Sequence, residues 1–267
     1  MSQSLAGRNA LVTGSVQGIG LAIAKALAAE GAAIGLHGLA DAGQIAAATA
    51  ELKAAGAPGV RFFDADLRDE KAVDAMMDAA LDWRTDILVN NAGIQRPAAL
   101  DGLPVETWKA ILDVNLTAAF LTMRRLLPAM GARGFGRVVN IASVHGLVAS
   151  VEKAPYVASK FGLVGLSRVA ALEYAAKGSA ETGGVTVNCI CPGWTETAII
   201  EPQVEARAAL FGGDRAAGIA DLLKEKQPSR RTSNPSEIGA LAVWLCARQA
   251  HNITGAAIPI DGGWTAQ

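Results

Sequence analysis

Short runs of Val, Ile and Leu recur along the chain, bounded by glycine, asparagine or proline and separated by longer Ala/Leu-rich stretches. Runs that are apolar at consecutive positions, rather than at alternate ones, mark strands buried on both faces of a parallel sheet. The pattern predicts strands at residues 10–12, 33–36, 60–63, 86–89, 137–141, 185–190 and 256–260, with a first helix over 21–30 stopped at Gly31. Strands alternating with helical stretches predict repeated βαβ units. No repeat, low-complexity tract or Pro/Ser linker divides the 267 residues, so one α/β domain over 1–267 is expected, a doubly wound parallel sheet. Two stretches break the rhythm. Residues 177–184 are small, polar and Gly-rich and read as a surface insertion before the sixth strand. Residues 195–227 carry helical segments around Gly212-Gly213, and a segment of that length is a candidate substrate lid, a plain surface excursion being the alternative.

Composition narrows the class. Apolar residues make up 51% and charged residues 18%, enough for a large buried core. The net charge of −1, with both signs scattered, offers no basic face for nucleic acid. No apolar run approaches the roughly 20 residues of a membrane span, and residues 1–7 lack the basic start and apolar stretch of a signal peptide. Three cysteines, two of them at Cys189 and Cys191, do not make a disulfide framework, and no His/Cys pair stands near enough in sequence to complete a metal site. The reading is a cytoplasmic protein with no metal, no membrane and no nucleic-acid partner.

Candidate chemistry begins right after the first strand. Thr13-Gly14-Ser15-Val16-Gln17-Gly18-Ile19-Gly20 links strand to helix. Glycines there allow a sharp turn and close approach to a pyrophosphate, while the helix N-terminus offers free N–H groups. A Gly-rich turn alone is a weak signal; its place between first strand and first helix makes it specific. A 2′-phosphate on the adenosine ribose calls for Arg or Lys after the second strand, where the residues are His37-Gly38-Leu39-Ala40-Asp41, so NAD is the expected cofactor. The acidic residue that often grips the ribose is missing from the strand end unless Asp41 reaches back. Asp66 and Leu67, past the third strand, sit where adenine should lie, although a turn-forming Asp is the plainer reading of Asp66.

Tyr156 and Lys160 are four positions apart and share one face of a helix. An ammonium beside a phenol favours the phenolate and brings a pKa near 10 within reach of acid–base work. Ser143, at the end of the fifth strand, faces the crevice where such sheets bind ligands.

With Asn90-Asn91-Ala92-Gly93, Asn115 and Pro192-Gly193 in the same order and spacing, the chain resembles the short-chain dehydrogenase/reductase family over nearly its whole length. The resemblance implies a Rossmann-like fold, with Tyr156 as acid/base, Ser143 positioning the reacting oxygen and Lys160 holding the nicotinamide ribose. Asn115 would anchor a proton-relaying water, and Thr197 would help hold the nicotinamide. The resemblance also implies cofactor contacts from Gly14, Ser15, Gln17, Gly18, Ile19, Gly20, Asp66, Leu67, Asn91, Ala92, Gly93, Pro192 and Gly193, and a homotetramer.

Gln95, His145 and Lys153 fall on loops over the same crevice, a set suited to a small carboxylate, with Trp194 and Trp264 as apolar wall. Gly93-Ile94-Gln95, residues 141–150, Glu225-Lys226-Gln227-Pro228-Ser229 and the tail 261–267 are similar to one branch of the family, the D-3-hydroxybutyrate dehydrogenases. That likeness implies a carboxylate held by Gln95, His145, Lys153 and Gln203, a methyl end closed by Trp194 and Trp264, and oxidation of (R)-3-hydroxybutyrate to acetoacetate. The chain departs from the branch at Arg96, Phe161, Thr195-Glu196 and the 177–184 loop. A carboxylate from Glu196 near the pocket would repel an anion. Another hydroxy acid, a polyol or sugar, or a 3-oxoacyl group are the alternative substrates. A non-catalytic NAD-sensing scaffold is the reading from another class.

Overall fold

A computed structural model describes residues 4–266 apart from Ile199 and Glu225, so those two positions and Gln267, the last residue of the tail segment, lie outside the described residues. The strands are β1 (Asn9–Val12), β2 (Ala33–His37), β3 (Val60–Phe63), β4 (Ile87–Asn90), β5 (Phe135–Ile141), β6 (Gly184–Pro192) and β7 (Ala257–Ile260). They form one parallel sheet in the order β3-β2-β1-β4-β5-β6-β7. The chain winds outward from β1 to β3, then returns to place β4 on the other side of β1. Connections on either side of that switch leave in opposite directions, and the crevice between them opens at the carboxyl ends of the strands.

The sheet is buried on both faces because each strand supplies apolar side chains in both directions. In β1, Ala10 and Val12 join one core with Ile23 and Leu27 of α1 (Gly18–Ala29), Leu52 of α2 (Ala42–Ala54) and Ile238 of α9 (Pro235–Cys246). Leu11 between them faces the other core, built from Val73 and Met77 of α3 (Glu70–Asp82), Leu126 of α5 (Ala118–Arg133) and Ala170 of α6 (Ala154–Tyr174). Each fully buried Leu or Ile contributes about 1.5–3 kcal/mol. The short helix α4 (Val105–Leu112) runs into α5 through a π-helical turn, Asp113–Thr117.

Every strand expected from the sequence is present, with ends shifted by one or two residues. The first helix begins earlier than its apolar periodicity suggests, at Gly18 inside the Gly-rich turn, because the helix N-terminus is built from the turn itself. The 177–184 segment is a surface excursion ahead of β6, pinned by the buried Arg137 guanidinium, which donates to the carbonyls of Gly183 and Gly184. It ends at Gly184, the first residue of the nine-residue β6, whereas Pro192 at the far end lines the crevice. At ~3.3 Å per residue the insertion lies roughly 25–30 Å from that crevice.

Residues 195–227 form a helical hairpin, α7 (Glu201–Ala209) and α8 (Arg215–Lys224). Gly218 lets the two approach, since a Cβ there would stand 2.6 Å from the Ala208 nitrogen. Arg207 pairs with Asp221 at 2.9 Å, and Arg215 pairs with Glu201. Ile200, Val204 and Leu223 form a small apolar core with Val144, Trp194 and Trp264, which attaches the hairpin to the rim of the crevice.

Candidate active site

The carboxyl ends of β1, β4, β5 and β6 open onto a cavity of about 560 Å³ that reaches from the Gly-rich turn to the hairpin. Gly14 and Gly18 hold φ of +62° and +59°, a region L side chains avoid. A Cβ on Gly14 would also stand 2.9 Å from Ala92 Cα, so the turn packs directly on the Asn90-Asn91-Ala92-Gly93 loop. Asn91 fixes that contact, its Nδ2 donating to the carbonyls of Thr13 and Gly14 at 2.9 and 3.0 Å. The first-turn N–H groups of α1 have no intrahelical acceptor and face the cavity, as an anion site requires. A Cβ on Gly93 would stand 3.6 Å from Lys160 Nζ and 3.5 Å from Asn115 Oδ1, in ordinary contact, so this loop lies directly against both side chains. The glycine cradle at the helix N-terminus and a cavity that runs on to Lys160 together fit a nicotinamide dinucleotide.

All the site residues expected from the sequence line this cavity except Ser15 and Asn115. Ser15 is a correction. Its hydroxyl donates to the Val12 carbonyl at 2.7 Å and accepts the His37 N–H, and its own N–H goes to the His37 carbonyl, so it works inside the turn. Asn115 lies just beneath, on the π-helical turn. It grips both backbone groups of Ile94, at 2.8 and 3.0 Å, and donates to Ser159 Oγ at 3.2 Å. Asp41 does not reach back: its carboxylate caps α2 by accepting the Gln44 N–H at 2.8 Å, and the Gln44 amide returns the bond. Asp66 faces the cleft but binds Arg68 through both oxygens, and that guanidinium holds its carboxyl down at about 2.

The reacting end is assembled by β5 and α6. Tyr156 is half-buried and lies beside Ser143, whose hydroxyl accepts the His145 N–H at 3.1 Å. Lys160 donates to the Ile141 carbonyl at 2.8 Å and stands 5.6 Å from the Tyr156 ring centre. Burial brings its ammonium down to about 8. The same burial pushes the Tyr156 hydroxyl up, and the Ser143 hydrogen bond only partly opposes it. Burial, rather than the lysine expected to depress it, sets the direction at this tyrosine.

Beyond the tyrosine the wall changes character. Trp194 and Trp264 lie near-parallel, with ring centres 6.2 Å apart. Lys153 Nζ stands 5.3 Å from the Trp194 ring centre. Burial and then Lys226 bring Lys153 down to about 8. His145 is brought down to about 3 by burial, then by Lys153 and Lys226, so it is neutral at physiological pH. Gln95 and Gln203 complete the wall, and the buried Trp194 Nε1 has no hydrogen-bond partner among the described residues. Glu196 does not line the cavity. It is exposed and accepts from Thr232 Oγ1 at 2.6 Å, which removes the repulsion expected of it. Arg96 is exposed and Phe161 is 45% exposed, and neither lines the cavity.

A family model described as short chain dehydrogenase matches residues 8–208, which contain the Gly-rich turn, Asn115, Ser143, Tyr156 and Lys160. The chain is a short-chain dehydrogenase.

Within the family it is 49% identical over 267 residues to the D-beta-hydroxybutyrate dehydrogenase of Cupriavidus necator, covering 98% of this chain and 100% of that protein. It is 40% identical over 262 residues to the enzyme of the same name from Rhizobium meliloti, covering 97% and 99%. Among solved structures, L-sorbose reductase from Gluconobacter frateurii superposes with a TM-score of 0.91 at 29% identity, each chain fully covered. A gluconate 5-dehydrogenase from Burkholderia cenocepacia, in complex with NADP and tartrate, gives 0.86 at 31%, covering 99% and 98%.

Several groups that build this dehydrogenase site were not read from the sequence. His37 is buried, with Nδ1 accepting the Gly14 N–H at 3.1 Å and Nε2 3.2 Å from the Ala65 carbonyl, so it ties the Gly-rich turn to the adenine side. Arg68 lines the cavity as a cation, spent on Asp66. Gln227 accepts the Trp194 N–H at 3.1 Å, and Asp261 caps the tail turn that carries Trp264. Among the described residues no group of three His, Cys, Asp or Glu is placed to hold a metal, and no helix is long and apolar enough to cross a membrane.

Proposed function

We propose that this dehydrogenase oxidises (R)-3-hydroxybutyrate to acetoacetate, reversibly, with NAD. The observation that carries the reading is Lys153, a half-buried ammonium lining the same cavity as Tyr156 and Ser143, with Gln95, His145 and Gln203 around it. A cation next to two indoles, separate from Lys160 and from the Arg68 paired with Asp66, suits a short carboxylate with an apolar end. Ser143 holds the substrate hydroxyl and Tyr156 takes its proton as the carbonyl forms. Lys160 holds the cofactor ribose and passes positive charge toward the tyrosine. Asn115 sets the Ile94 backbone and anchors the water that carries the proton outward. Thr197, Pro192 and Gly193 hold the nicotinamide side. The nicotinamide supplies the acceptor for the hydride that leaves carbon 3.

The choice of NAD is supported by Gly38 and Leu39 after β2, where no cation stands, and by the engagement of Arg68 with Asp66. The family reading extends to a homotetramer in the cytoplasm, and to the hairpin 195–227 acting as a lid over the substrate. A sugar acid or polyol is the second reading, favoured by the full-length match to solved gluconate and sorbose enzymes. Lys153→Met separates carboxylate binding from the rest. It should raise KM for the hydroxy acid roughly 10–100-fold, leaving KM for NAD and turnover of a neutral secondary alcohol as they were. Equal losses on acid and alcohol would remove Lys153 from carboxylate recognition.

A further inference from the structure

His145 has two ring nitrogens and two different neighbours. Nε2 lies 3.0 Å from Ser150 Oγ, and Nδ1 lies 3.4 Å from Ser143 Oγ. Its ring stands 5.9 Å from that of Tyr156 and 5.4 Å from that of Trp264, so the imidazole is wedged between the acid/base and the apolar wall. Which nitrogen carries the single proton of the neutral ring decides whether His145 offers the cavity a donor or an acceptor.

Ser150 settles the matter through a residue outside the cavity lining. Lys226 Nζ donates to Ser150 Oγ at 3.1 Å and stands 5.5 Å from the Trp264 ring centre. An ammonium has donors only, so this bond occupies a lone pair of the hydroxyl. The serine proton then needs an acceptor, and among the described residues His145 Nε2 is the remaining partner within reach. Were Nε2 protonated, the half-buried Ser150 would accept twice and its own proton would have only solvent to meet, giving up a protein hydrogen bond of about 0.5–1.5 kcal/mol. Nε2 is therefore bare and the proton sits on Nδ1, on the side of Ser143. Nδ1–H then lies 3.4 Å from Ser143 Oγ, a long contact that a bound oxygen closer to the ring would replace.

We infer that Lys226, acting through the Ser150 hydroxyl, fixes His145 as its Nδ1–H tautomer and so turns a hydrogen-bond donor toward the anionic group of the substrate. Lys226 is thus a positioning residue, and its role in selecting an anion rests on the hydroxy-acid reading above. It stands two residues beyond α8, beside the Gln227 that anchors Trp194, so the relay runs from the end of the hairpin into the site.

The chain has three histidines, which makes ring ¹⁵N–¹H correlation spectra of ¹⁵N-histidine-labelled protein readable, with His145→Gln assigning the signal. The expected pattern is a protonated Nδ1 and bare Nε2 for His145 in the unaltered protein. Ser150→Ala and Lys226→Met should shift it to the other tautomer or a mixture, while Lys226→Arg keeps it. Unmoved His37 and His251 signals would show that each variant remains folded. In the same variants KM for the hydroxy acid should rise roughly tenfold with Lys226→Met, kcat staying within about twofold, and return with Lys226→Arg. A protonated Nε2 in the unaltered protein would overturn the relay, as would a tautomer indifferent to both substitutions even if KM rose. A tautomer that responds in a protein inactive on every hydroxy acid would leave the relay standing and bring down the substrate reading instead.

Discussion

At Tyr156 two opposing effects meet: burial favours the neutral phenol, while Ser143 favours its ionised form. A neutral phenol can give its proton to a carbonyl oxygen, whereas in the oxidation direction it must first release that proton before it takes the one from the substrate hydroxyl. Tyr156→Phe removes that proton and should lower turnover at least ~100-fold while dinucleotide binding, measured by fluorescence titration, stays unchanged. Lys153 gives the site a pH signature. Its ammonium is brought down to about 8, so it is charged below that pH and neutral above it. KM for the hydroxy acid should therefore be flat toward neutral pH and climb as pH rises through about 8. Lys153→Met should abolish that climb; a climb that survives would assign it to Lys160, which falls in the same range. The sequence made Tyr156, Lys160 and Ser143 legible because their spacing carries the chemistry. It left His37, Ser150 and Lys226 silent, because each reaches its partner from a different element and only the fold brings them within 3.2 Å.

At the scale of elements, the strands were legible because both-face burial writes continuous apolar runs, and their register followed from the topology. Helix starts were less so. Gly18 opens α1 although glycine is a poor helix former, because the phosphate-binding turn requires φ of +59° there. The π-helical turn that aims Asn115 leaves no mark in local pattern, since it arises from the side chain's hold on Ile94 and Ser159. Asp41 shows how an element can claim a residue that the site seemed to need. As half of a capping box it stabilises α2 by about 1 kcal/mol. Asp41→Ala should lower Tm by about 2–4 °C in a calorimetric scan and leave KM for NAD unchanged. A rise in that KM would place the carboxylate on the ribose after all.

On the scale of the whole molecule, one sheet places two different recognition problems at its carboxyl edge. The half built on β1 to β3 presents a glycine cradle and a neutral, His37-braced turn; the half built on β4 to β7 carries Tyr156, the two lysines and the indoles. Of the departures from the branch, Thr195 lines the cavity, whereas the 177–184 insertion lies at the opposite end of β6 and Glu196 is turned to Thr232. Sequence position alone could not separate near from far for either of them. The central claim is that this edge is built for a short (R)-hydroxy acid and NAD. It is tested most directly by following NADH formation with (R)-3-hydroxybutyrate, its (S)-isomer, gluconate and sorbitol, each with NAD and NADP. Turnover of the (R)-acid with NAD, and little or none with the other pairings, is the predicted result. Faster turnover of gluconate or sorbitol, or a preference for NADP, would contradict it.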